Sequence, residues 1–100
     1  MKSYNFMNYQ TVRPIQRAKV DDFINKHKDN DNVIRIIVFG SSITNKCHID
    51  SDIDVYLELK ENKPIQRFAY NYLVDIWNNY TVDKNMLNEI YKKGVIVYER

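Results

Sequence analysis

The sequence has a single cysteine, Cys47, and no long apolar run, and both absences narrow the possibilities. A chain with one cysteine cannot form an internal disulfide, so a reducing compartment is expected. No apolar stretch approaches the length that crosses a bilayer. Polar residues also interrupt every apolar stretch of the N-terminal MKSYNFMNYQ, which is not the pattern of a signal peptide. The sequence therefore predicts a cytoplasmic protein without a membrane segment.

An excess of charge of one sign is also missing. The 15 basic and 13 acidic residues leave a formal net charge of +2, and both signs are spread along the chain. This balance gives no strong signal for a nucleic-acid or membrane surface. The chain has only two histidines. One of them, His48, lies beside Cys47, but the spaced partners of a zinc site are missing. The pattern around Ser41 and Ser42 also lacks the strand and elbow of a serine hydrolase.

The overall composition is that of one folded domain. Hydrophobic residues make up 44% and charged residues 28% of the 100 positions, which is ordinary for a globular protein. A chain of this length can bury one modest core. We therefore interpret residues 1–12 as a lead-in and residues 13–100 as one domain.

The hydrophobic pattern predicts alternating helices and strands. Pro14 suits the first turn of a helix, VIRIIVF is almost continuously apolar and β-branched, and DIDVYLEL alternates cleanly between apolar and polar residues. This order predicts a small α/β domain of mixed α+β type, with a small mixed β-sheet and flanking helices. The expected elements are a helix over 14–28, strands over 33–39, 52–59, 70–77 and 95–98, a short helix over 42–46, a brief helix or irregular link after residue 59, and a helix over 84–93.

The last predicted helix has signals at both ends. Asp83 can cap its N-terminus, and Gly94 follows it as a C-terminal stop. The apolar residues that this helix is expected to bury are Met86, Leu87, Ile90 and Tyr91.

Two aspartates at the start of the second strand have no evident role in folding. Asp52 and Asp54 are two residues apart, so both project from the same face of a strand, where like charges repel. A divalent cation between them relieves that repulsion. Asp75, in the middle of YLVDIWNN, is the candidate third carboxylate from a neighbouring strand. Three such carboxylates can hold the two metal ions of a phosphoryl-transfer site.

Other interpretations of these aspartates remain. Asp52 and Asp54 can be a solvated surface pair, and Asp75 can be an aspartate on an edge strand facing water. A calcium loop counted from Asp50 is disfavoured, because Val55 occupies the position that needs a glycine. A glycosyltransferase would need a much larger domain for its sugar nucleotide.

A glycine and two serines follow the first strand. Gly40 lets the backbone approach a ligand closely, and Ser41 can begin a helix whose free N–H groups favour anionic oxygens. Gly40-Ser41, ten residues and Asp52-Ile53-Asp54 together resemble the G-S-x10-D-x-D signature of the DNA polymerase β nucleotidyltransferase superfamily. The resemblance to its minimal nucleotidyltransferases extends through VDIW to the closing LNEIYKKGVIVYE.

This resemblance implies a polymerase-β-like nucleotidyltransferase core and a role for each matching residue. Asp52, Asp54 and Asp75 would be the catalytic carboxylates and would bind Mg²⁺, with two ions expected. Gly40, Ser41 and the adjoining Ser42 would hold the phosphates of the nucleotide, with ATP as the expected substrate. Unlike many relatives, the chain continues after the glycine and serine with SITNKC, without their arginine.

Minimal nucleotidyltransferases of this kind are commonly antitoxins paired with HEPN-domain ribonuclease toxins, and some transfer AMP from ATP to a tyrosine of the toxin. The resemblance therefore implies a protein adenylyltransferase antitoxin with a HEPN-type toxin as its partner chain. A small core should gain its selectivity from that partner or from a homo-oligomer. The alternative is a binding module that masks its partner with weak or lost chemistry, which the missing arginine favours. Transfer to a small molecule ranks last, since the acceptor would normally need a second domain.

Overall fold

The computed structural model describes residues 14–40 and 52–100 of the chain. The expected helix over 42–46 and the lead-in over 1–12 lie outside this part. Neither described helix has the length and apolar character that a membrane span requires. The α+β class with a small mixed sheet and flanking helices is confirmed. The described elements are α1 (Pro14–His27), β1 (Val33–Phe39), β2 (Ile53–Leu59), β3 (Val74–Asn78), α2 (Lys84–Lys93) and β4 (Val95–Glu99).

The four described strands form one mixed sheet in the order β3-β2-β1-β4. β1 is antiparallel to both β2 and β4, whereas β2 and β3 run parallel. The two central strands, β1 and β2, are the most apolar segments, because a central strand is covered on both faces. β3 and β4 are the edges of this sheet, so β3 pairs with β2 alone among the described strands.

Both faces of the sheet are covered. Alternate residues of a strand point to opposite faces, so β2 contributes to two separate apolar clusters. The smaller cluster lies under α2 and consists of Ile37, Tyr56 and Ile90, with partly buried neighbours that include Trp77. The larger cluster lies under α1, and its buried members are Val20, Phe23, Ile24, Val33, Ile36, Val38, Ile53, Val55, Leu57, Leu59, Val95 and Val97.

The third strand begins later than the sequence predicts. It was expected over 70–77 but spans Val74–Asn78, and residues 60–73 before it contain no helix. Tyr70 and Tyr72 have a high intrinsic preference for strands, but their side chains contact α1 instead. Tertiary contacts therefore override the local preference, and the irregular alternative for this link is the correct one.

The second helix spans the predicted residues and is capped as expected. The Asp83 side chain accepts a hydrogen bond of 2.7 Å from the Met86 N–H. The prediction that Tyr91 is buried is wrong: 42% of it is exposed, because it lies at the rim of the face that buries Ile90.

Gly94 ends α2 for a different reason from the one its position suggests. A glycine after a helix commonly adopts positive φ, but Gly94 has extended backbone with φ of −74°. A Cβ at this position would lie 2.5 Å from Ile37 Cγ2 and 2.5 Å from the Ile90 carbonyl oxygen. Glycine is therefore required here by lack of space between α2 and β1.

We expect Gly94→Ala to destabilise the fold by about 1–3 kcal/mol, the usual cost of overpacking a tight contact. One of the two neighbours is a backbone carbonyl, which cannot turn away as a side chain can. The free energy of unfolding, measured by urea denaturation, checks this. Lys93→Ala, at the adjacent exposed position, is the control and should change stability by less than about 0.5 kcal/mol. Equal stabilities of the two variants would contradict the steric explanation.

Candidate active site

Two of the predicted site carboxylates meet across the parallel strands. Asp54 of β2 and Asp75 of β3 are direct partners in the register of the pair. Neighbouring strands lie about 4.8 Å apart, and partners of a parallel pair point to the same face of the sheet. Asp54 and Asp75 share a side-chain hydrogen bond. The fold therefore brings into contact two acidic groups that are 21 positions apart in the sequence, since 75 − 54 = 21.

The environment of Asp54 disfavours its charged form. Burial is the largest cause, followed by the negative charges of Asp75 and Asp52, and together they raise the pKa of Asp54 to about 6. Like charges and burial each raise the pKa of a carboxyl group, because both penalise ionisation. The pair can hold one proton between its oxygens when no cation is present. Such perturbed carboxyl groups are typical of functional sites.

Asp52 is the third acidic residue of the group. It precedes β2 directly, is half-buried, and acts on Asp54 through its charge. In the part of the chain that the structure describes, no three His, Cys, Asp or Glu side chains stand together closely enough to hold a metal ion as they are. The described structure therefore shows a pair of carboxylates, Asp54 and Asp75, with the charge of Asp52 acting on Asp54.

Gly40 lies against the same carboxylate. It follows β1, whose last residue, Phe39, pairs with Asp54. Its φ of +74° is a left-handed conformation that residues with a side chain adopt reluctantly. A Cβ at Gly40 would collide with Asp54 Oδ2 and lie 3.3 Å from Asp54 Cγ. The backbone conformation therefore favours glycine, and a side chain here would displace the Asp54 carboxylate.

The other two residues of the predicted phosphate-binding turn, Ser41 and Ser42, lie outside the described residues. The predicted contacts of Gly40, Ser41 and Ser42 with a nucleotide thus stay predictions, as do the roles of the aspartates as metal ligands. The structure places Asp54, Asp75 and Gly40 at one point of the sheet, with Asp52 within electrostatic range.

A polar network on the same face of the sheet was missed by the sequence analysis. Arg35 contacts Glu99 at 2.5 Å and Glu58 at 3.5 Å. The Tyr91 hydroxyl donates to Glu58 at 2.6 Å, and Tyr56, two residues after Asp54, is buried beside this network. The available signal was the arginine in VIRIIVF, since a charge in an otherwise apolar strand needs a partner. The network therefore holds the C-terminal end of β2, whereas Asp54 lies near the start of this strand.

Outside the carboxylate group, a buried histidine also has a strongly shifted pKa. His27, at the end of α1, is only 1% exposed. Burial is the main reason why its pKa falls from 6.5 to about 4, and the positive charge of Lys26 adds to the effect. His27 is therefore neutral at physiological pH, and it hydrogen-bonds the Tyr70 hydroxyl at 2.6 Å.

Asp54 and His27 should make the free energy of unfolding change with pH in opposite directions. The folded pKa of Asp54 is about 6, above its ordinary 3.8, so the native state binds more protons in that window and unfolding free energy falls as pH rises. The folded pKa of His27 is about 4, below its ordinary 6.5, so the unfolded state binds more protons and unfolding free energy rises with pH. The two effects oppose each other in the native protein.

We therefore expect Asp54→Asn to gain stability as pH rises from about 4 to about 6.5, by about 1–3 kcal/mol, because the His27 effect is then no longer opposed by that of Asp54. His27→Gln should lose stability over the same range, by a smaller amount, because Asp54 is partly exposed to solvent. Urea denaturation across this range in metal-free buffer measures both slopes. The double variant should show neither, and slopes of equal sign in the single variants would contradict the assignment.

The donor chemistry of the carboxylate group fits a divalent cation. Magnesium prefers carboxylate oxygens, and a cation would relieve the repulsion that raises the pKa of Asp54. The residues that could supply the oxygen atoms are Asp54 and Asp75, which are register partners, and Asp52, whose charge acts on Asp54.

Comparison with known families agrees with this fold. The family model described as Polymerase beta, Nucleotidyltransferase matches residues 21–100, most of the chain. The chain therefore belongs to this family, and it is a nucleotidyltransferase domain. No curated protein matches the chain in a sequence comparison.

Proposed function

We propose that this chain is a Mg²⁺-dependent nucleotidyltransferase that transfers AMP from ATP to a hydroxyl group of a partner protein, acting as the antitoxin of a HEPN-type toxin. The observation that carries the proposal is the direct pairing of Asp54 with Asp75, with Asp52 in electrostatic range. Repelling carboxylates beside a glycine that allows no side chain are hard to explain by folding alone. Family membership supports the reaction class.

The reaction would exchange one phosphorus–oxygen bond for another. The acceptor hydroxyl oxygen attacks the α-phosphorus of ATP, the bond from that phosphorus to the bridging oxygen breaks, and pyrophosphate leaves. The chemistry that two Mg²⁺ ions supply when bound is neutralisation of the phosphate charge and a lower pKa of the acceptor hydroxyl. Asp52, Asp54 and Asp75 would hold the ions.

The residues of the chain would contribute in distinct ways. Asp75 lies on the edge strand and is the most exposed of the three carboxylates, so it is the one an acceptor can approach, and it would take the hydroxyl proton. Gly40 keeps the space beside Asp54 free of a side chain. The identity of the nucleotide as ATP and of the acceptor as a tyrosine of the toxin rests on the resemblance to minimal nucleotidyltransferases.

The deciding experiment is incubation of the chain with α-labelled ATP, Mg²⁺ and the protein encoded by the neighbouring gene. The proposal expects that this protein is all-helical, carries an R-x4-6-H motif and becomes covalently labelled, and that the label disappears when EDTA replaces Mg²⁺. GTP, CTP and UTP in parallel reactions test the base. Absence of transfer with every nucleotide would refute the enzymatic proposal.

The chain offers a matched control for the site. Asp52→Asn with Asp54→Asn removes the D-x-D pair of the site, and Asp29→Asn with Asp31→Asn removes a second D-x-D pair of exposed aspartates after α1. The two double variants have the same change in charge. We expect the first to lose labelling and the second to keep it.

The alternative function is a binding module that neutralises its partner by forming a complex. The observation that favours it is that no three His, Cys, Asp or Glu side chains are assembled for a metal in the described residues. A stable complex of the two proteins without covalent label, under every nucleotide and metal condition, would support this alternative.

A further inference from the structure

The connection from β2 to β3 is held by few backbone hydrogen bonds. Parallel neighbours need a crossover, which is usually an α-helix, but residues 60–73 are irregular. The backbone hydrogen bonds of this crossover lie near its ends, at Lys60, Lys63 and Leu73. Between them, residues 64–72 form no backbone–backbone hydrogen bond with any described residue. Side chains must therefore determine the path of this segment.

Two tyrosine hydroxyls attach the crossover to α1. The Tyr70 hydroxyl and His27 Nε2 share a hydrogen bond of 2.6 Å. The Tyr72 hydroxyl donates to Asp22 Oδ2 at 2.7 Å. We refer to Tyr70 and Tyr72 with their partners His27 and Asp22 as the tyrosine latch. Both bonds involve partly buried groups, where a lost partner is costly.

Ring contacts hold the same residues in place. The ring of Tyr70 stacks on Phe23 with centroids 5.9 Å apart, and Phe68 meets the His27 ring edge-on at 5.1 Å. Phe23 and His27 are fully buried in α1, so the latch is anchored to the rigid part of the domain. These aromatic contacts define where the crossover packs on α1 before it enters β3.

Contacts between the crossover and β3 contribute little to holding either segment in place. An open cleft of about 430 Å³ lies between the two segments. Ile65, Arg67 and Tyr70 line it from the crossover, and Val74, Ile76 and Asn78 line it from β3. β3 is also an edge strand, held on one side by β2. Its placement therefore depends on its pairing with β2, on the apolar side chains that pack against the two clusters, and on the latch just before it.

We propose that Tyr70 and Tyr72 are positioning residues for Asp75. Asp75 is the third residue after Tyr72. The latch therefore determines where β3 begins and keeps Asp75 beside Asp54. The part of this inference that concerns transfer rests on the proposed function. The part that concerns the placement of β3 rests on the contacts alone. Displacement of a catalytic group by about 1 Å can cost about a hundredfold in rate.

The single tryptophan of the chain makes the placement of β3 measurable. Trp77 lies on β3, two residues after Asp75 and on the same face of the sheet, and packs partly buried under α2. Tyr70→Phe with Tyr72→Phe removes both hydroxyls and keeps the rings. We expect red-shifted Trp77 emission and stronger quenching by acrylamide, with far-UV circular dichroism unchanged.

The transfer assay tests the consequence for the site. The double variant should have a rate constant about ten- to a hundredfold lower, while the KM for ATP changes less than about twofold. A role in stability alone would lower the unfolding midpoint without changing the Trp77 emission of the folded protein. If the double variant does not fold, Tyr72→Phe alone is tested by the same two measurements.

Two control variants distinguish the effect of losing the latch from the effect of losing any hydroxyl or any charge. Tyr98→Phe removes a tyrosine hydroxyl that bonds the Lys28 carbonyl at the end of α1 from the opposite edge strand, and should leave emission and rate unchanged. Asp22→Asn keeps an oxygen that accepts from Tyr72 and should retain the native emission and rate, whereas Asp22→Ala should reproduce the Tyr72→Phe effect.

The outcomes distinguish this inference from the proposed function. Unchanged Trp77 emission in the double variant overturns the latch. Changed emission with a native transfer rate overturns the inference that the latch positions Asp75 for transfer. If the wild-type chain transfers no nucleotide, the proposed function fails while Trp77 emission still decides whether the latch places β3. Changed emission with a reduced rate and a constant KM supports the whole inference.

Discussion

Asp75→Asn is expected to reduce nucleotide transfer about a thousandfold and, at the same time, to lower the pKa of Asp54 towards its ordinary value of 3.8. Both effects follow from the contact between the two side chains. Of the two neighbouring charges that raise the pKa of Asp54, that of Asp75 has the larger effect, and Asp75 also shares the hydrogen bond. Asparagine has nearly the same shape but lacks the charge.

The two effects require two measurements. The rate of AMP transfer follows from the labelled-ATP assay, and the pKa of Asp54 follows from NMR titration of its carboxyl carbon in metal-free buffer. Asp29→Asn, which removes an exposed carboxylate after α1, is the control and should leave both quantities as in the wild type. A native Asp54 pKa in Asp75→Asn would show that the two carboxylates are not in contact in solution.

Gly40→Ala is expected to destabilise the domain by about 1–3 kcal/mol and to abolish most transfer activity. The positive φ of +74° is unfavourable for alanine, and the new Cβ would occupy the position of Asp54 Oδ2. The carboxylate would have to move, which separates it from Asp75. Thermal unfolding and the transfer assay measure the two consequences.

A second substitution separates the backbone strain from the collision. In an Asp54→Gly background the carboxylate is absent, so Gly40→Ala should cost only the backbone strain. The difference between the two costs is the coupling energy of the double-mutant cycle. Equal costs in both backgrounds would mean that the close approach of Gly40 to Asp54 has no energetic consequence.

Segments with strong local signals were predicted with the correct bounds. The strand over 33–39 is a continuous run of mostly β-branched residues, and the helix over 84–93 lies between Asp83 and Gly94. Both signals act within a few residues, so the tertiary structure had little to add. At Gly94 the prediction of a helix end was correct, but the reason is steric, which only the approach of Ile37 reveals.

Segments whose conformation depends on distant contacts were predicted less well. Tyr70 and Tyr72 indicate a strand by residue type, yet their hydroxyls bond to His27 and Asp22 and the strand starts four residues later than expected. The exposure of Tyr91 and the partners of Arg35 depend in the same way on the packing of α2 over the sheet.

The sequence by itself determined the class of the domain and named the acidic residues, because periodicity, caps and the spacing of Gly40, Asp52 and Asp54 are local properties. Only the tertiary structure decided that Asp54 is the direct partner of Asp75. The register of a parallel pair depends on how the crossover packs, and no pattern within either strand encodes it. A shift of one residue would have turned Asp75 to the opposite face of the sheet.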